Sequence, residues 1–178
     1  MAKRIQAQAF RLFEKQQYDE ALPLFEQVAS AGNGSEDWFN VATCAVMARQ
    51  LDKGSEALSK ATSLSEQEQN PENLSIGMMQ FYFMCALRDS GFVKEGMKVL
   101  NDFRQTYTSL VITDDMFLSI RGLPPLSQFL TMGAILLKMQ SEIAPKEWLT
   151  TFGSTLDADG KATVTTFIDE QWDSVEQR

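Results

Sequence analysis

Three stretches of this chain are versions of one another, and a fold must accommodate all three in the same way. Tyr18–Ala29 reads YDEALPLFEQVA, Leu51–Thr62 reads LDKGSEALSKAT and Val93–Arg104 reads VKEGMKVLNDFR. In register, each opens on an apolar residue and then places a small one three positions on (Ala21, Gly54, Gly96). A large apolar residue follows (Phe25, Leu58, Leu100), then a further apolar one (Val28, Ala61, Phe103). Offsets of 3, 7 and 10 stay on one face of an α-helix, and the small residue marks where another helix must come close. The starts run from 18 to 51 to 93. That spacing is a period of about 34 residues with one inserted loop, the length of a repeat built from two helices.

The helices expected upstream of each stretch complete the pattern. Repeat two carries Trp38, Val41, Ala42 and Ala45; repeat one carries Ile5, Gln8, Ala9 and Leu12; repeat three carries Gln80, Phe83, Met84 and Leu87. Over residues 2–104 the chain resembles the tetratricopeptide repeat family, departing from it at Gln8, Gln80 and Ala45 and in lacking a closing proline. The resemblance implies an all-α protein: a right-handed α-solenoid of three tetratricopeptide-like helix pairs over 1–106, with a helical capping region over 107–178. It implies a binding scaffold and leaves the partner open, because such arrays serve many partners.

In that family the first helix of each pair lines the concave surface. The matching positions here include Phe10 and Phe13 in repeat one, Phe39, Asn40 and Met47 in repeat two, and Met78, Phe81 and Tyr82 in repeat three. The expected groove is therefore an apolar trough with polar ends, suited to an extended or helical apolar peptide and lined by adaptable methionines. A subclass of the family grips a peptide carboxylate with lysine, asparagine and arginine. The corresponding positions here are Gln6, Phe10, Asn40, Met78 and Tyr82, and only Asn40 fits, which argues against that role.

Composition narrows the function classes. The net charge is −8 across 178 residues, with basic residues unclustered, so neither a nucleic-acid backbone nor an anionic membrane is the expected main partner. There is no histidine, which removes the commonest general base and the commonest metal ligand together. No phosphate loop, serine elbow or zinc-type cysteine spacing appears, and no catalytic residue, metal or cofactor is expected. Cys44 and Cys85 fall on apolar faces and read as buried free thiols, in keeping with a reducing, cytoplasmic setting. The longest apolar run, Phe129–Met139, is too short and too interrupted for the ~20 residues of a bilayer span.

Local signals set the remaining expectations. Ser30–Ser35 reads as a loop with Ser35 as N-cap of the next helix, and Ser65–Asn73 as a polar loop broken by Pro71. Thr113 reads as the N-cap of a short helix ending near Ile120. Pro124 or Pro125 then opens a nearly all-apolar helix to about Ile143, expected to be buried on two sides. Pro145 opens a short helix with Trp148, Leu149 and Phe152, and a last helix is expected over Thr165–Glu176. Residues 157–168 resemble the opening of an EF-hand loop, but Lys161 and Ile168 stand where calcium needs oxygen ligands, so an Asp-Gly turn is the better reading. The function expected from all this is a non-catalytic protein-interaction module, adaptor- or chaperone-like. The alternative is a structural subunit of a homo-oligomer or larger assembly whose groove is filled by its own C-terminal helices.

Overall fold

A computed structural model describes residues 2–32, 34–68 and 70–175. Asn33 and Gln69, within the two expected loops, and Glu176, the expected end of the last helix, lie outside the described residues. Those described form ten α-helices and no strand, and none of these helices is long and apolar enough to cross a membrane. The chain folds as two compact units, Met1–Ser90 and Gly91–Arg178.

The first unit holds α1 (Ala2–Glu14), α2 (Tyr18–Gly32), α3 (Ser35–Met47), α4 (Leu51–Glu68) and α5 (Ile76–Asp89). Neighbours in sequence pack together, α1 on α2, α2 on α3, α3 on α4 and α4 on α5, and α3 also meets α5. The middle helix, α3, consequently buries Phe39, Val41, Ala42, Cys44, Ala45 and Val46. At the crossing of α3 and α4 the small residue is obligatory: a Cβ on Gly54 would lie 2.6 Å from Val46 Cγ2 and 3.1 Å from the Ala42 carbonyl oxygen. Ala21 occupies the matching position of α2 and is fully buried.

One turn recurs ahead of each repeated stretch. Gln16, Arg49 and Gly91 adopt left-handed φ values of 60°, 63° and 75°, each two residues before Tyr18, Leu51 or Val93. In the first two turns the same hydrogen bonds close the preceding helix: Gln16 N–H to Phe13 O and Gln17 N–H to Leu12 O, then Arg49 N–H to Val46 O and Gln50 N–H to Ala45 O. These are paired Schellman bonds, which satisfy the helix's last carbonyls. Only at Gly91 is the left-handed backbone held by the residue type that adopts it freely.

The second unit holds α6 (Val93–Thr108), α7 (Asp115–Ile120), α8 (Leu126–Met139), α9 (Pro145–Ser154) and α10 (Ala158–Thr166). A π-helical turn at Phe167–Gln171 and a 3-10 turn at Trp172–Ser174 follow. Helix α8 packs on α6, α9 and α10, which accounts for its apolar circumference. Its contact with α6 is reciprocal: Gly96 of α6 faces Leu136, and Gly133 of α8 faces Leu100, with a new Cβ falling 2.8 and 2.6 Å from the leucine methyls. Phe103, Tyr107, Phe129, Phe152 and Trp148 form a continuous aromatic core with centroid spacings from 4.9 to 6.3 Å. The Tyr107 hydroxyl donates to Pro124 O at 2.7 Å, so this phenol is buried with a partner, and burial drives its pKa far upward.

Several local expectations shift. Ser35 is the first helical residue rather than the N-cap, which is Gly34. Helix α4 continues through Ser65–Glu68, expected to be loop, because Glu68 is anchored to Ser35. The N-cap of α7 is Asp114, accepting from Phe117 N–H at 3.0 Å, and not Thr113. Pro125 caps α8 from outside, and α8 ends at Met139 because the Gln140 side chain binds the backbone of 142 and 143 and stops the helix. The last α-helix starts at Ala158 rather than Thr165.

Adding one methyl to a mid-helix glycine ordinarily stabilises by about 0.5–1 kcal/mol. Gly54→Ala is expected to do the opposite and lower stability by about 1–3 kcal/mol in urea unfolding, since Val46 and a backbone carbonyl occupy the space. At the exposed turn residue, Arg49→Gly is expected to raise stability by about 0.5–1 kcal/mol by removing the left-handed strain of a side-chain-bearing residue.

Candidate functional site

The eight side chains expected to line a groove lie on three helices of the first unit: Phe10 and Phe13 on α1, Phe39, Asn40 and Met47 on α3, and Met78, Phe81 and Tyr82 on α5. Phe10 stands edge-on to Phe25 at 5.1 Å yet keeps 40% of its surface in solvent. Phe13 is half-buried between Tyr18 and Phe25, at 5.1 and 6.2 Å. Asn40 is half-buried, and its carbonyl accepts from Thr43 Oγ1 at 3.2 Å. Met47 and Met78 are half-buried as well; the Met47 sulfur accepts from Ser90 Oγ at 3.3 Å. Tyr82 is 41% exposed and its ring lies 5.6 Å from that of Phe81.

Phe39 and Phe81 are buried, so in this conformation a ligand reaches them only by displacing their neighbours. The contact of α3 with α5 places Asn40 and Met47 on one helix and Met78 and Tyr82 on the adjoining one. The accessible part of the expected trough is thus Phe10 and Tyr82, with half-buried Asn40, Met47, Met78 and Phe13 beside them in sequence register. These side chains offer shape and apolar contact, and no proton-transfer pair stands among them.

Two polar clusters carry no local sequence signal. In the first unit, Glu68 at the end of α4 accepts from Ser35 N–H at 2.8 Å, Ser35 Oγ at 2.6 Å and Asn73 Nδ2 at 2.7 Å. The Ser35 hydroxyl and backbone bonds hold the Glu68 carboxyl below its usual range. Nearby, burial above all, then the charges of Glu36 and Glu68, push Asp37 upward. Glu36 in turn accepts from Leu74 N–H at 2.9 Å, tying the 70–75 loop to the start of α3. In the second unit, Asp157 caps α10 by accepting from Gly160 N–H at 3.1 Å, and also accepts from Thr113 Oγ1 and, at 3.3 Å, from Thr113 N–H. Burial acts to raise the Asp157 pKa, but the bonds from Thr113 and Gly160 outweigh it and leave the carboxyl low. The segment resembling a calcium loop is therefore a helix start, with its leading aspartate already engaged.

The remaining candidates offer little chemistry. No group of three or more acidic or cysteine side chains among the described residues is placed to hold a metal. Burial pushes the Cys44 thiol up to about 12 and, largely for the same reason, the Cys85 thiol to about 11, which suppresses the thiolate. A recess of about 350 Å³ in the second unit lies against α9 and α10, but its Thr150, Ser154 and Thr165 hydroxyls donate to carbonyls of their own helices. No protein-family model matches this chain, and no curated protein or solved structure does.

The tie between Asp157 and Thr113 has a pH signature. A carboxyl lowered on folding stabilises above its unfolded pKa of ~3.9, and that contribution fades as pH falls through the native value. Asp157→Ala is expected to cost about 0.5–2 kcal/mol at pH 7, as loss of a helix cap does, and the difference from wild type is expected to shrink in acid as the native carboxyl becomes protonated. Urea unfolding at pH 7 and in acid checks both.

Proposed function

We propose that this chain is a non-catalytic protein-interaction module that takes an apolar peptide or helix on the face presented by α1, α3 and α5. The observation that carries the reading is the pair Phe10 and Tyr82, aromatic side chains left two-fifths in solvent on first helices of the repeated pattern. Large aromatic anchors are where binding energy concentrates, and methionines such as Met47 and Met78 adapt to irregular apolar partners. The repeated stretches, their small residues at Ala21 and Gly54, and the recurring left-handed turns support a tetratricopeptide-like, right-handed solenoid built on the pairs α1/α2 and α3/α4. Free thiols at Cys44 and Cys85 favour a reducing, cytoplasmic compartment.

The burial of Phe39 and Phe81 favours one second reading. In it the chain is a structural subunit of an oligomer or larger assembly, and the trough is already closed by the chain itself.

Paired variants separate the two. Under the binding reading, Phe10→Ser with Tyr82→Ser keeps stability within about 1 kcal/mol and abolishes capture by an array of immobilised apolar peptides. Phe39→Ala is expected to cost about 3–5 kcal/mol, as truncation of a buried aromatic does. Wild-type protein that captures no peptide, with a mass that rises with concentration, would favour the structural subunit.

A further inference from the structure

The second unit bears an apolar strip that the repeat reading does not use. Val111, Ile112, Met116 and Ile120 are 83%, 42%, 74% and 78% exposed. Met116 and Ile120, four residues apart in α7, share a side of that helix, and the exposed Val111 and Ile112 belong to the extended segment that leads into it. Their outward placement is held from beneath: Leu118 and Thr113 are buried, Thr113 is bound to Asp157, and Asp114 caps the helix. Arg121 lies over Phe117 at 5.0 Å from the ring centroid, which closes the far end. The strip is a preformed surface.

We infer that this strip is a docking surface for a short amphipathic helix with lysine or arginine beside its apolar face. Area and charge choose the occupant. Four side chains at these exposures present on the order of 400 Å², enough for a functional patch but about half of the ~800 Å² per partner of a standard stable interface. That matches a single helix laid across the strip, not a stable dimer. Along the strip and its ends the charges are Asp114 and Asp115 against Arg121, which lies over Phe117, so the local balance is one negative charge. A second copy would bring like charge to the strip on a molecule already at −8, whereas a basic helix brings the complement. The strip belongs to the second unit, whereas Phe10 and Tyr82 belong to the first.

The test uses the full chain and two synthetic peptides of about sixteen residues, with the same leucine stripe and flanks of lysine in one and glutamate in the other. Methyl NMR titration is expected to shift Ile112, Met116 and Ile120 with the lysine peptide, at least tenfold more tightly than with the glutamate peptide. Met116→Ser with Ile120→Ser, both exposed, is expected to keep the melting temperature and weaken lysine-peptide binding at least tenfold. The Phe10→Ser, Tyr82→Ser protein is expected to bind this peptide as wild type does. Equal binding of the two peptides, shifts that spare these methyls, or affinity unchanged in Met116→Ser, Ile120→Ser would overturn the inference. So would concentration-dependent dimerisation abolished by that same variant, which would assign the strip to a second copy.

Discussion

Helix backbones in this protein come together where a side chain has been reduced to almost nothing, and most of the packing follows from that. In the first unit the point of closest approach is Gly54 against Val46 and the Ala42 carbonyl. In the second it is a mutual exchange, Leu136 over Gly96 and Leu100 over Gly133, so each helix supplies both a knob and a hole. A β-branched valine or a buried leucine has few rotamers to retreat into, and a packed interior transmits the strain of any added volume. Once α3 is held at that distance from α4, its own apolar face is committed inward, and Phe39 goes with it. Function is thereby left to the side chains that the crossings do not consume.

Polar ties between remote segments complete what the apolar crossings begin. Glu68 reaches the N-terminus of α3, and Asp157 holds both its own helix and the segment leading into α7. Each carboxylate satisfies backbone donors that a helix start leaves open, and each places negative charge near the positive end of a helix dipole. Glu68 and Asp157 thus act as structural clasps. Lys138 does the reverse at the C-terminal end, donating to the carbonyls of Trp172 and Val175 at 2.7 Å each. Burial suppresses the Cys44 thiol, Glu68 and Asp157 are engaged, and Phe10, Tyr82, Met116 and Ile120 are among the large apolar side chains left on a surface that is otherwise rich in charge.

Periodicity alone determined the helices. The three stretches begin at Tyr18, Leu51 and Val93, and α2, α4 and α6 begin at those residues, because an amphipathic face with a small residue at fixed offset has no other regular solution. The apolar circumference of α8 and Pro145 at the first position of α9 were legible for equally local reasons. Tertiary structure decided what local pattern cannot hold: that Gly96 meets Leu136 of α8, that Ser35 is served by a glutamate 33 residues away, and that Asp157 opens a helix while bound to Thr113, 44 residues back. It also decided which of the aromatics expected in the groove stay wet. A helical period assigns Phe10, Phe39, Phe81 and Tyr82 to a side of the helix, but whether that side meets water or protein depends on neighbours from distant parts of the chain.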